Sequence, residues 1–235
     1  MNTEKDRLES VAGNSLYTTF SNSMTIEYSY DIFKRFLVKG SILELGPAEG
    51  LMTKYLINDT ADLTLVDGSS IFCDDLRKKF QASTIINCLF EDFSPDVKYD
   101  NIILGHVLEH VENPVEILKL AKRWMKKGGV IMAAVPNSRS IHRQASVLMG
   151  MQPTEDTMSE LDFHHGHRRI YNPESFRNDF LQADFSLVHY GGYWLKPVSN
   201  AQIHESWTTD MLLAFMKLGE RYPDTAAEIY VIASH

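Results

Sequence analysis

The sequence is poor in features that would point to secretion, a membrane or nucleic acid. It has two cysteines in 235 residues, Cys73 and Cys88, with no Cys-x-x-Cys spacing. That excludes a disulfide scaffold and leaves two packed, reduced thiols, expected in a cytoplasmic protein. No apolar run approaches the roughly 18 residues of a membrane span. The opening MNTEKDRLES lacks the apolar core of a secretion signal. Positive charge is outnumbered, with 23 Lys and Arg against 31 Asp and Glu for a net −8. The pairs Lys78/Lys79, Lys122/Arg123 and Lys126/Lys127 fall on solvated helix faces, so no nucleic-acid footprint is expected.

What is present is a 44% hydrophobic chain, enough for one domain with a full core. From residue 41 its pattern alternates. ILEL (42–45), LTLVD (63–67), TIINCLF (84–90), NIILGHV (101–107) and VIMAAVP (130–136) read as short buried strands. Helical stretches lie between them. One, PVEILKLAKRWMKK, has Asn113 as N-cap, Pro114 at its first position, Glu116 to close a capping box and Gly128 to stop it. Nearly all-apolar strands separated by amphipathic helices imply a doubly wound α/β domain around a mainly parallel sheet. Ligands in such sheets bind beyond the carboxyl ends of the strands.

The expected organisation is an N-terminal helical cap over 1–40 and a ligand-binding half over 41–137. A long polar insertion over 138–172 is expected to act as a lid, and 173–235 completes the sheet.

The first strand runs into Gly46-Pro47-Ala48-Glu49-Gly50. This is neither G-x-G-x-x-G nor a P-loop, since no GKS or GKT follows. Pro47 has no N–H to donate, while Glu44 and Glu49 would repel a phosphate. The turn suits a positively charged nucleoside without phosphate, and S-adenosylmethionine, with its sulfonium and ammonium, meets that requirement. Asp67 closes the second strand, where a carboxylate can accept from ribose hydroxyls. CLFEDF (88–93) and GHVLEHV (105–111) follow the next two strands. An apolar wall and backbone groups in the first of these could hold an adenine ring.

With these motifs, ILELGPAEG, LVDGS, YDNIILGHVLEHVENP and WMKKGGVIMAAVPN, the chain resembles class I S-adenosylmethionine-dependent methyltransferases. The resemblance implies a Rossmann-like, seven-stranded sheet with a reversed final hairpin. It also implies Glu44, Gly46, Pro47 and Gly50 along the methionine and ribose side, and Asp67 with Gly68 at the ribose. Phe90 and Glu91 would flank the adenine, with Gly105 and His106 near the sulfonium. Two positions depart from the pattern: Ala48 stands for the usual second turn glycine, and Leu89 for the usual Asp at the third strand end.

Catalytic candidates come from the segments roofing the strand ends. They are His106, Asn137 after the fifth strand, His165 and Tyr171 in HHGHRRIY, and Ser199 in GGYWLKPVSNAQ. His164, His165 and His167 crowd together, yet no nearby cysteine or carboxylate pattern completes a tetrahedral set, so no metal is expected. A general base or an arginine clamp for a carboxylate, from Arg168 and Arg169, is the alternative use of this cluster.

The leading expectation is methyl transfer to a small metabolite, as in natural-product or sugar tailoring. HHGHRRIYNPESF and GGYWLKPVSNAQ are also similar to a methyltransferase-like group that cyclises S-adenosylmethionine into azetidine-2-carboxylate. There the α-amine attacks Cγ and expels methylthioadenosine, with Asn137, Tyr171 and Ser199 suited in type. A silent cofactor-binding protein is the third alternative.

Overall fold

The computed structural model describes residues 3–14 and 19–235. Residues 1–2 and 15–18 of the expected cap lie outside them. In chain order the elements are α1 Glu4–Gly13, α2 Phe20–Phe33, β1 Ile42–Leu45, α3 Thr53–Leu56, β2 Leu63–Asp67, α4 Ser70–Lys79, β3 Thr84–Asn87 and β4 Tyr99–Gly105. There follow α5 Pro114–Trp124, β5 Met125–Pro136, α6 Ile141–Leu148, α7 Glu160–His164, α8 Pro173–Gln182, β6 Ser186–Tyr193, α9 Asn200–Ser206, α10 Thr209–Gly219 and β7 Glu228–Ser234.

The seven strands form one sheet in the order β3-β2-β1-β4-β5-β7-β6. β1 to β5 pair in parallel, and β7 runs antiparallel to both β5 and β6. The doubly wound sheet with a reversed final hairpin is therefore present as expected.

Strand periodicity divides the core between the two sheet faces. Leu43, Leu45, Ile102, Leu104, Ile131 and Ala133 point to one side, against Ile117, Leu118 and Trp124 of α5 and Phe176 and Phe180 of α8. Ile42, Ile103, Met132 and Ala134 point to the other, against Tyr28, Ile32 and Phe33 of α2 and Leu212 and Met216 of α10. Both faces being covered explains why these strands read as continuous apolar runs.

Some boundaries differ from the sequence pattern. α5 stops at Trp124 rather than at Gly128, because Met125 turns extended (φ −87°, ψ 139°) and joins β5. Burial of Trp124 edge-on to Phe93 (4.9 Å) and of Met125 outweighs the helical propensity of the two lysines that follow. Likewise β3 ends at Asn87, and Phe90 opens a 3-10 turn.

The chain reverses direction across the sheet between β1 and β4, and this switch point opens the crevice. The turn after β1 is tight: the N–H of Gly50 donates to the carbonyl of Pro47 (2.8 Å). Gly46, Ala48 and Gly50 all have left-handed φ, at 64°, 47° and 80°. Ala48 holds a conformation that costs an L-residue energy, and its N–H donates to Asp67 Oδ2 (3.2 Å). Gly50 has no such latitude, since an added Cβ would lie 2.5 Å from the Phe80 ring. Gly50→Ala is expected to destabilise the fold by about 1–3 kcal/mol, read as a shift of the urea midpoint at constant slope.

Candidate functional site

Two chambers meet at the carboxyl ends of the strands. The first, of about 300 Å³, is lined by Asp67, Gly68 and Ser69 after β2, by Leu89, Phe90 and Glu91 after β3, and by Leu8 and Val11 of α1. The second, of about 170 Å³, is lined by Glu44, Pro47, Met52, Gly105, Glu109, His165, His167, Trp194, Lys196 and Glu228, among others. Gly46, Ala48, His106 and His110 belong to both walls.

Asp67 is fixed before any ligand arrives. Besides Ala48, the N–H of Ser69 donates to its Oδ1 (2.9 Å). Burial pushes its carboxyl up to about 6 despite these donors. An apolar wall of Leu8, Phe72, Leu89 and Phe90 with one carboxylate at its rim fits a flat base carrying a sugar diol.

The second chamber is dominated by buried carboxylates. Glu44 accepts from the Thr53 hydroxyl (2.7 Å), and burial pushes it up to about 7. Glu228 is likewise raised to about 7 by burial. His106 sits at the junction with φ 59°. Its Nδ1 lies 3.5 Å from Glu109 Oε1 and 3.9 Å from Glu228 Oε2, and its Nε2 lies 3.4 Å from the Tyr193 hydroxyl. Burial opposes charge on this imidazole, but the carboxylates outweigh it and raise its pKa. Burial opposes ionisation of Glu109 in turn, yet His106 and His110 hold it down to about 2. Lys196 is lowered to about 8 by burial.

His165 and His167 of the 138–172 insertion line the second chamber, and α1 ties that segment down. Arg7 donates to the carbonyls of Gly166 (3.0 Å) and His110 (3.2 Å). Arg168 donates to the His110 carbonyl (2.9 Å) and to Glu4 (2.7 Å), and Arg169 to the Glu112 carbonyl (2.9 Å). Both lid arginines thus bind backbone, which leaves little of them for a substrate carboxylate. His165 faces the second chamber, its pKa lowered by burial.

The structure brings Glu44, Gly46, Pro47, Asp67, Gly68, Phe90, Glu91, Gly105, His106 and His165 to the chambers. It does not bring Gly50, Asn137, Tyr171 or Ser199 there. Asn137 is buried with its amide donating to the carbonyls of Asp224 (3.0 Å) and Ala226 (2.8 Å), while its Oδ1 accepts from the N–H of Arg139 (3.0 Å). The Tyr171 hydroxyl donates to Asp179 Oδ2 (2.8 Å), and its ring packs on Phe176. Residues 137 and 171 pair as an isolated bridge that closes the base of the lid. Ser199 caps α9, in a reciprocal box with Gln202.

Sequence reasoning missed Glu109, His110, Lys196 and Glu228 as wall residues. For Glu109 and His110 a signal existed in the polar spacing of HVLEH after an apolar strand. Glu228 reaches the site only because β7 runs antiparallel, which sets its first residue opposite Pro136, at the carboxyl end of β5.

A parallel doubly wound sheet with an apolar pocket, a buried carboxylate at its rim and an acidic second chamber is compatible with a nucleoside cofactor. The methyltransferase domain family matches residues 27–190, and the chain belongs to it. It is an S-adenosylmethionine-dependent methyltransferase of class I. A curated relative, the ubiquinone biosynthesis O-methyltransferase of Pasteurella multocida (strain Pm70), is 24% identical over 173 residues, covering 67% of this chain and 70% of that one. Among solved structures the fold is similar to an S-adenosylmethionine-dependent methyltransferase from Mesorhizobium loti, with TM-score 0.62, 14% identity, and 87% and 96% of the two chains covered. It is also similar to the N-methyltransferase NodS from Bradyrhizobium japonicum WM9 in complex with S-adenosyl-L-homocysteine, with TM-score 0.58, 12% identity, and 93% and 89% covered.

Tyr171 provides a test of placement. Tyr171→Phe leaves Asp179 without its donor and is expected to cost about 1–3 kcal/mol of stability. Cofactor affinity by calorimetry is expected to be unchanged; a loss of affinity with stability intact would put the phenol in the site.

Proposed function

We propose that the chain methylates a hydroxyl-bearing small metabolite held in the second chamber, with S-adenosylmethionine bridging the two chambers. The observation that carries this is the shared wall of Gly46, Ala48, His106 and His110 between a base-and-ribose pocket and an acidic pocket. Glu44 and Asp67, buried carboxylates whose pKa no neighbouring cation lowers, fit a ligand that is itself cationic. When bound, the cofactor supplies a methyl group on a sulfonium. The residues provide orientation: Asp67 for the ribose, Leu89 and Phe90 for the adenine, Glu44 for the methionyl ammonium. His106, its pKa raised by Glu109 and Glu228, is in its neutral form the group placed to take a proton from the acceptor.

The small volume of the second chamber, about 170 Å³, supports a small acceptor, of the kind met in natural-product or sugar tailoring. Oxygen as the accepting atom is favoured by the O-methyl transfer named for the Pasteurella relative. Asn137, Tyr171 and Ser199, the groups a cyclase would use, line neither chamber, so ring closure is an outcome of the test rather than a second reading. The purified chain should be incubated with S-adenosylmethionine alone and then with hydroxylated metabolites, and followed by mass spectrometry. S-adenosylhomocysteine that accumulates only with an acceptor supports the proposal. Enzyme-dependent methylthioadenosine with azetidine-2-carboxylate from the cofactor alone overturns it.

Asp67→Ala is expected to weaken cofactor binding by about 1–3 kcal/mol through lost ribose hydrogen bonds; an unchanged calorimetric Kd would remove the ribose from this position.

Glu44 also sets a pH dependence. Its carboxyl, raised to about 7 by burial, holds a proton below that pH, and a cationic ligand favours the ionised form. Affinity is therefore expected to rise as pH rises through about 7, with proton release on binding, and to lose this step in Glu44→Gln. Calorimetry in buffers of differing ionisation enthalpy measures the proton count.

A further inference from the structure

Beside the junction of the chambers lie a carboxylate and two imidazoles; the methyl-transfer reading uses Glu109 to back His106 but gives His110 and His167 no chemical role. The ligand atoms of Glu109, His110 and His167 all lie within 4.8 Å of one another. They come from distant parts of the chain: Glu109 and His110 from the loop after β4, His167 from the lid. The Glu109 side chain is 1% exposed, and neither of its oxygens has a hydrogen bond of good geometry. A buried carboxylate left in this state is costly.

The surrounding groups orient the two rings toward Glu109. His110 presents Nε2 to it, 3.9 Å from Oε1, while the backbone of Gly166 hydrogen-bonds the ring. His167 places Nδ1 3.3 Å from Asp162 Oδ1, an ion-pair contact outside good hydrogen-bond geometry, with Nε2 on the other side of the ring. The two imidazoles meet edge to face, with centroids 4.8 Å apart. Asp162 is itself held by Arg143 (2.9 Å) and by the Ser159 hydroxyl (2.7 Å). A carboxylate or carbonyl behind each histidine is the outer shell that metal-binding imidazoles need.

We propose that Glu109, His110 and His167 bind a divalent first-row transition ion, zinc or iron in type, through two nitrogens and one carboxylate. This donor set suits such ions and not magnesium or calcium, which prefer all-oxygen sites. Three protein ligands leave a coordination position open, and Glu109, His110 and His167 all line the second chamber. The open position is where the acceptor hydroxyl would bind; this role rests on the methyl-transfer reading, whereas the ion site does not.

The test is a titration of the untagged, chelator-stripped chain with Zn²⁺ by calorimetry, and with Co²⁺ by its visible d–d bands. Cofactor binding is measured separately on the same samples. A single saturable ion per chain is expected, with intensified cobalt bands showing nitrogen ligation. Asp162→Asn should weaken it roughly 10–100-fold, and Glu109→Gln and His167→Ala by more, with unchanged circular dichroism. No stoichiometric binding by the wild-type chain overturns the site. Binding that survives both Glu109→Gln and His167→Ala overturns it too, because the ion would then lie elsewhere. If the ion binds but S-adenosylmethionine does not, the methyl-transfer reading fails while the site stands; the reverse result removes the site alone.

Discussion

The structure depends on keeping carboxylates out of water at the point where the parallel strands end. Glu44, Asp67, Glu109 and Glu228 are all buried, and each loses hydration that the protein only partly replaces. Where a cationic imidazole stands near, as His106 stands near Glu109, the acid stays ionised. Where none does, the pKa climbs toward neutrality, as in Glu44 and Asp67. The crevice is thus electrostatically unfinished, and a positively charged ligand relieves the cost of building it.

The roof obeys a different rule. It is held less by apolar packing than by guanidinium groups satisfying carbonyls of the β4–α5 loop, from Arg7 on α1 and from Arg168 and Arg169 on the lid. The N–H of Arg168 also donates to the Glu109 carbonyl (2.8 Å). α1 reaches the opposite wall as well, where Glu9 accepts from the Ser69 hydroxyl (2.7 Å) and from the N–H of Ser70 (2.6 Å) at the start of α4. One short helix therefore fastens both the lid and the β2–α4 turn.

Much of the fold was legible. Apolar strands with helices between them can only be arranged as a covered parallel sheet, although β3, read as buried, is a half-exposed edge strand; Asp67 and Phe90 follow strand ends that face one crevice. Boundaries were less legible where packing competes with propensity, as at Trp124 and Met125. The catalytic side was the least legible. Asn137, Tyr171 and Ser199 have the polarity of site residues, but their hydrogen bonds are spent on a lid hinge, an aspartate beside the core and a helix cap. Polarity and position near a strand end do not say which way a side chain turns.

The sequence by itself determined the sheet, the turn whose proline has no N–H to offer, and the acid at the end of the second strand. Each follows from local pattern: alternation of apolar runs, a proline without an N–H, and an acid at a strand end. Only the tertiary structure decided what faces the second chamber. Glu109, His167 and Glu228 lie far apart in the chain, and they converge because β7 enters antiparallel and the lid folds back over the β4–α5 loop. Such convergence depends on strand direction and long-range packing, which no local spacing encodes.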